Sequence, residues 1–394
     1  MTPELEDNEM TDREIAYKCA PVIVQKVNKD NPRGDFITRV DFAKPGDLES
    51  LKDNWIAAHA PIKEKNEWRD IQEGRKPPEF EHELKPYVYY SVVETHSHYF
   101  ILYAIYHPQD WEDESAAWND GPVWWNSGTE HLHDMEGALV IASKCETVED
   151  LRADAMITIS HWWFYTYAHW YMRDLADKEI PVFPMPDRYQ GSRVNKENLD
   201  GRLWAVWHID ENDREIMRQK LYVQAKGHGI RGDRRDWGGG DRIIHYCPSL
   251  MDADEPELFA SEDNGTDEAE LQHKNRPDDP PDSPDTIRKS EVWRYGLIDI
   301  FEPNPDDGPP KGLWASRDKP GVFLLDGRGQ DCFAVFKDNN PEAGSAKPPW
   351  SWDDRDDAHA SGELALQPAH ITYNYLGGLR EFSLQYIRNP YLGI

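Results

Sequence analysis

Basic residues are scarce in this sequence. It sets 44 Lys and Arg against 74 Asp and Glu, a formal net charge of −30 over 394 residues. Proteins that grip a nucleic-acid backbone neutralise phosphates with clustered cations, so this balance speaks against nucleic acid as a partner. It equally disfavours adhesion to anionic membranes. Cysteine is nearly absent. Cys19, Cys145, Cys247 and Cys332 stand far apart and form no CxxC, which excludes a thiolate zinc site and a thioredoxin-like centre. They read as buried free thiols, or as one or two disulfides in an exported protein. Long apolar runs are missing too, and none approaches the ~18 residues that a membrane span needs. Met1–Lys18 is acidic and lacks an apolar h-region. No Sec-type signal is therefore visible, and the expectation is a cytoplasmic protein or one exported by another route.

Aromatic residues are plentiful. The hydrophobic fraction is only 38%, yet 12% of the chain is aromatic, with 16 Trp and 18 Tyr. Disordered chains are depleted in such residues, so this one folds. Short runs rich in Val, Ile, Tyr and Phe dominate, which predicts strands. They are Pro21–Val27, Tyr87–Glu94, Tyr99–Tyr106, Met135–Ser143, Ala155–His169, Arg202–Ile209, Lys220–Lys226, Arg242–Tyr246, Val292–Ile300, Gly321–Leu325 and Glu381–Ile387. Helical periodicity is rare. Leu48, Leu51 and Trp55 give one helical pattern, placed in an insertion over 46–75, and Arg214–Arg218 suggests a short helical turn. Many strands with few helices predict a mainly β fold, an antiparallel β-sandwich with few short helices.

The stretch 251–290 is acidic and rich in proline, as are Glu302–Lys319 and Asp338–Asp357. Such composition buries too little apolar surface to fold by itself, so these are long acidic loop insertions. Strand-like sequence resumes after each, which favours one elaborated domain over 1–394.

The densest chemistry lies in Glu130–Gly137 (EHLHDMEG), just before an apolar strand. Strand alternation puts Asp134 and Glu136 on one face and His133 and Met135 on the other, with His131 at the strand mouth. Two acids on one face beside a histidine suit a hard divalent cation, Mg²⁺ or Ca²⁺, with Zn²⁺ as the alternative. Salt bridges at a solvated strand end are the bland alternative. In Glu94-Thr95-His96-Ser97-His98, a strand reading puts His96 and His98 on one face as two imidazoles for zinc, and a hairpin tip is the competing reading. Tyr103–Asp110 (YAIYHPQD) is a strand running into a turn. In Lys226–Gly229 (KGHG) the glycines flanking His228 suggest close backbone approach or positive φ. Trp111, Trp118, Trp124 and Trp125 crowd one acidic stretch, as sugar-stacking rings or as a second small core. A cupin fails because Glu136 follows the HxH too closely. No EF-hand, P-loop, GxSxG or GxGxxG is present.

These segments resemble the necrosis- and ethylene-inducing protein (NPP1-like) superfamily, whose hallmark heptapeptide is GHRHDWE. Glu130–Glu136 agrees with it at four of seven positions. The strand YFILYAIYHPQD resembles the family strand that ends in a metal-binding aspartate, here Asp110. AKGHG resembles the family's serine/alanine-His-Gly segment, here His228. The resemblance implies a β-sandwich of the actinoporin-like kind. It also implies a divalent cation held by Asp110 and Asp134, with His131 and Glu136 close by. Family toxins are secreted and use that cleft to bind sphingolipid head groups without being enzymes.

The expectation is therefore a divalent-cation-dependent binding protein that holds a polar ligand, a sugar or lipid head group, in a surface cleft. One alternative is a metal-dependent hydrolase, with Glu136 or His133 as general base and His96 and His98 joining the metal shell. Another is a structural or assembly protein whose cation ties loops together.

Overall fold

The computed structural model describes residues 10–27, 34–39, 86–110, 131–160, 163–169, 200–210, 212–233, 242–250, 286–287, 293–302, 349–352, 362–376 and 382–394. For 108–110, 131–133, 201–202, 242, 286–287 and 351 the backbone alone is described. The expected helix over 46–75, the strand Gly321–Leu325, Cys332 and the tryptophans of 111–125 lie outside these residues. So does nearly all of 251–290.

The fold is mainly β. Its strands are β1 (Val22–Val27), β2 (Tyr87–Thr95), β3 (His98–Asp110), β4 (His131–Ser143), β5 (Ala153–Ser160), β6 (Trp163–Ala168), β7 (Gly201–Arg202), β8 (Ala205–Ile209), β9 (Glu215–Val223), β10 (Ile230–Arg231), β11 (Arg242–Pro248), β12 (Thr286–Ile287), β13 (Trp293–Asp299) and β14 (Tyr386–Arg388). Among the described residues the α-helices are α1 (Asp12–Cys19), α2 (Glu363–Leu366) and α3 (Pro368–Leu376). Among the described residues, all the strands join one 14-stranded sheet, ordered β12-β8-β9-β1-β11-β13-β2-β3-β4-β5-β6-β7, with β10 beside β9 and β14 beside β2. The sheet curls into a half-barrel.

The mainly β expectation with few short helices holds. The sheet itself is mixed, where two antiparallel layers are expected. β1/β9, β11/β13, β13/β2, β6/β7 and β8/β12 are parallel ladders. Parallel neighbours need a crossover of a dozen residues or more. The chain between β11 and β13, which contains the acidic proline-rich stretch, is such a crossover.

Alternation explains the strands that are apolar on both faces. Tyr99, Ile101, Tyr103 and Ile105 of β3 join Ala138, Val140 and Ala142 of β4 in an inner core. Phe100, Leu102, Ala104 and Tyr106 join Met135, Leu139 and Ile141 in an outer one, which α2, α3 and Trp352 cover. Helix α1 plugs the inner core with Ile15, Ala16, Tyr17 and Cys19. It opens on a capping box, the Thr11 hydroxyl accepting from the Glu14 N–H while Glu14 accepts from Thr11. Its C-terminal end is closed by Arg218. That buried guanidinium donates to the carbonyls of Tyr17, Lys18 and Ala20 and lies over the Tyr17 ring.

Two local expectations change. Ala155–His169 is two strands, β5 and β6, paired as a hairpin from Ser160↔Trp163 onward. Hydrophobicity runs through both, so composition hides the break. Arg214–Arg218 is the start of β9 and not a helical turn, because Glu215–Ile216 pair with β8. Cys19, Cys145 and Cys247 are free thiols. Burial pushes Cys19 and Cys247 up to about 12, so neither supplies a thiolate near neutral pH.

Candidate metal centre

The β3/β4 ladder runs in unbroken register at its site end, with Ile105 opposite Glu136, His107 opposite Asp134 and Asp110 opposite His131. Directly opposed residues share a face. Asp134, Glu136 and His107 therefore belong to the inner face, on the same parity as Ile105 and Ala138 of the inner core. The predicted pairing of Asp134 and Glu136 on one face holds. Both are buried, at 7% and 5% exposure, and His107 is fully enclosed.

The turn between β9 and β10 supplies the next group. Gln224 N–H donates to Gly229 O at 3.1 Å, which closes a tight loop around KGHG. Positive φ falls on Lys226 (71°) and His228 (48°) and on neither flanking glycine. For residues with a side chain this conformation is costly and needs support. Asp35 provides it: its Oδ1 accepts from Lys226 N–H at 2.6 Å and from His228 Nε2 at 3.2 Å. Segment 34–39 is in turn anchored on β3 by Thr38 N–H donating to Tyr106 O at 3.1 Å.

His228 is fully buried between two carboxylates. Its Nδ1 meets Asp134 Oδ2 at 3.0 Å while Nε2 meets Asp35. Burial by itself would lower its pKa, but the hydrogen bonds to Asp134 and Asp35 outweigh burial and raise it to about 10. The ring is thus an imidazolium at neutral pH. Against it stacks His107, centroids 3.8 Å apart and planes within 4°. Burial, and then the neighbouring His228 charge, push His107 well below the usual histidine range, so it is neutral. Glu136 lies alongside, its Oε2 accepting from Ile230 N–H at 3.2 Å.

Gln25 on β1 fixes the tautomer of His107. Its amide nitrogen donates to the carbonyls of Lys26 (2.9 Å) and Gln224 (3.1 Å). Its Oε1 therefore faces His107 Nε2, at 3.1 Å, and that nitrogen must carry the proton. The lone pair sits on Nδ1, which is buried and has no hydrogen-bond partner among the described residues. His107, Asp134 and His228 offer ligand atoms that all lie within 4.8 Å of one another. An orphaned imidazole lone pair, a buried carboxylate and a second imidazole make a donor set that fits a divalent cation.

The other expected residues are placed as follows. Asp110 and His131 are ladder partners three residues beyond His107 and Asp134. They and His133 are described by backbone alone. His228 joins Asp134, as the His-Gly motif suggests, although it is buried and not a solvent-facing turn. His96 and His98 stand at the other end of β3, roughly 30 Å away at about 3.3 Å per residue. His96 is exposed in the hairpin tip, whereas His98 is buried, with Nδ1 on Ser97 Oγ at 2.7 Å. They do not share a face and do not reach the centre. His107, Asp35 and Gln25 carry no sequence signal of their own. His107 sits inside the motif YAIYHPQD, and only the cross-strand register makes it a partner of Asp134.

No family model matches the chain, and no curated protein does. Among solved structures the chain is distantly similar to necrosis- and ethylene-inducing proteins. It is 15% identical to the non-toxic HaNLP3 protein, with a TM-score of 0.26 over 58% of this chain and 70% of that one. With the Necrosis and Ethylene inducing Protein 2 from the causal agent of cocoa's Witches Broom disease it shares 17% identity, with a TM-score of 0.20 over 40% of this chain and 48% of that one. NLPPya, solved in complex with glucosamine, gives 16%, 0.18, 40% and 47% in the same terms. The chain thus spans about half the length of the latter two. Among the described residues no helix is long and apolar enough to cross a membrane.

Proposed function

We propose that this protein is a divalent-cation-dependent binding protein. The cation sits among His107, Asp134 and His228 with Glu136 beside it. A polar ligand, a sugar or lipid head group, is held where the β3/β4 ladder ends at Asp110 and His131. The observation that carries this reading is the buried Nδ1 of His107, which has no hydrogen-bond partner among the described residues, next to the Asp134–His228 pair. A lone pair left without a donor costs on the order of 1–3 kcal/mol, and a cation removes that cost. In the metal-free protein the proton on His228 keeps Asp35 and Asp134 together.

Calorimetric titration of chelator-treated protein with Mg²⁺, Ca²⁺ and Zn²⁺ tests the cation. Glucosamine and mannosamine are then titrated with and without it. Saturable 1:1 cation binding, with sugar binding that requires the cation, supports the proposal. Protein that stays metal-free at millimolar concentrations of all three overturns it.

The complete burial of His107 and His228 favours a second reading, in which the cation only ties β3, β4 and the KGHG turn together. Cation binding that raises the melting temperature yet leaves every sugar and head group unbound would select that reading.

A further inference from the structure

A second cluster of reactive side chains lies at the opposite end of β3 from the cation centre, at the β2/β3 hairpin tip. Four side chains form one hydrogen-bonded line. Ser97 Oγ meets His98 Nδ1 at 2.7 Å, His98 Nε2 meets Ser143 Oγ at 3.4 Å, and Ser143 Oγ meets Asp154 Oδ2. The carboxylate sets the direction of every proton. It can only accept, so the Ser143 hydroxyl donates to it. Toward His98 the Ser143 oxygen can then only accept, so Nε2 of the neutral ring carries the proton. Nδ1 keeps the lone pair, and the Ser97 hydroxyl donates to it. A hydroxyl aimed at an imidazole that a third group orients is the arrangement that activates serine for attack. The surroundings fix this geometry. The Ser97 carbonyl accepts from Lys144 N–H at 3.0 Å and its Oγ from Ser383 N–H at 2.9 Å. Thr95 Oγ1 accepts from His98 N–H at 3.2 Å, and the Phe382 ring packs on the His98 ring, centroids 4.7 Å apart. His98 is 2% exposed, whereas Ser97 is half-buried beside the exposed His96. The base is thus shielded while the hydroxyl can be reached from solvent.

We propose that Ser97 is an activated nucleophile and His98 its general base, with Ser143 and Asp154 as positioning residues, so that the hairpin tip carries an acyl-transfer activity toward small esters. The proposal is independent of the cation-binding reading. One Oγ lone pair of Ser97 is taken by Ser383 N–H, and the other is left for attack. As Oγ bonds to the acyl carbon, its proton passes to His98 Nδ1 and the ring becomes an imidazolium between two hydroxyls, with the Asp154 charge behind Ser143. The C–O bond of the ester then breaks, and His98 returns the proton to the departing alcohol. Water, deprotonated by His98, cleaves the acyl-serine, releases the acid and restores Ser97. The sum is ester plus water giving acid plus alcohol. Of the other charged groups alongside, Lys144 and Arg388 both pair with Glu94, and Asp154 is the carboxylate on the line itself.

The test labels the full chain with an alkyl fluorophosphonate, with and without chelator, and locates the adduct by peptide mass spectrometry. Ser97 Oγ should displace fluoride, its proton passing to His98. It should react about 100-fold faster than any other serine, and chelator should make no difference. Ser97→Ala should abolish the adduct, together with the burst of p-nitrophenol released from p-nitrophenyl acetate. Asp154→Asn should slow labelling by about tenfold or more. It should also move the acid limb of the rate–pH profile to lower pH, because the imidazolium loses a nearby negative charge. A merely structural role for Asp154 would leave that limb in place. Wild-type protein that is not labelled at Ser97, or is labelled there no faster than elsewhere, overturns the proposal. So does folded Asp154→Asn with the wild-type rate and profile.

Discussion

The imidazole of His107 lies flat on that of His228, centroids 3.8 Å apart and planes within 4°, a neutral ring against a charged one. The difference arises from partners. His228 is held by two carboxylates, whereas His107 meets an amide oxygen at Nε2 and its buried Nδ1 has no hydrogen-bond partner among the described residues.

That charge makes stability depend on pH. The folded pKa of His228 is raised to about 10 from the ordinary histidine value of 6.5. A raised histidine pKa contributes stability that is fully present below about 6.5 and is lost as pH climbs through about 10. The metal-free wild type should thus lose about 1.4 kcal/mol per pH unit across that window. His228→Gln should flatten the slope. Urea denaturation at successive pH values, with chelator present, measures it; equal slopes in both proteins would refute the ion-pair account.

Asp134 faces both His107 and His228, so Asp134→Asn should abolish most of the cation-dependent rise in melting temperature. His133→Ala should retain most of it, because alternation sends position 133 to the opposite face from Asp134. His96→Ala and His98→Ala should leave it unchanged, since both lie at the far end of β3. Thermal scans with and without added metal separate these outcomes. Loss in His133→Ala with retention in Asp134→Asn would reverse the face assignment.

Gly137 separates the site residue Glu136 from the inner-core Ala138. A Cβ there would stand 2.0 Å from the Tyr103 carbonyl oxygen and 2.6 Å from the Trp352 ring. Trp352 is itself pinned by its indole N–H donating to Met135 O at 3.2 Å. Gly137→Ala should therefore cost about 2–4 kcal/mol, because backbone must shift. A loss below about 0.5 kcal/mol in chemical denaturation would contradict this packing.

Helix α1 depends on its two ends. Thr11→Ala removes the capping hydroxyl and should cost about 1 kcal/mol. Arg218→Leu strips the carbonyls of Tyr17, Lys18 and Ala20 of a buried charged donor. It should cost about 3 kcal/mol or more. Equilibrium unfolding of both variants compares the two, and a milder effect at Arg218 than at Thr11 would be the unexpected result.

Local pattern carries everything in the sequence that obeys a short period. Alternation along Met135–Ser143 shows a strand apolar on both faces and puts Asp134 with Glu136. The enrichment in β-branched and aromatic residues shows a mainly β chain. Helix α1 opens on the Thr11–Glu14 capping box, but its helical periodicity is too short to stand out, so the helix goes unread in the sequence. Where the period is broken without a change in composition, as between β5 and β6, the pattern runs on and the hairpin is invisible. Charged residues at Arg214–Arg218 look equally like a helical turn and like an edge of β9, and only pairing with β8 decides.

The chain alone thus determined the strand content, the acidic balance of charge, the shared face of Asp134 and Glu136, and the candidate role of the KGHG histidine. Tertiary structure decided which strands run parallel, that the sheet curls as one, and that His107, Asp35 and Gln25 complete the centre. Side-chain parity depends on neighbours two residues away, so sequence encodes it. The meeting of Asp35 with His228, and of Gln25 with His107, depends on long-range register. Burial across the whole half-barrel sets that register, and no local stretch of the chain contains it.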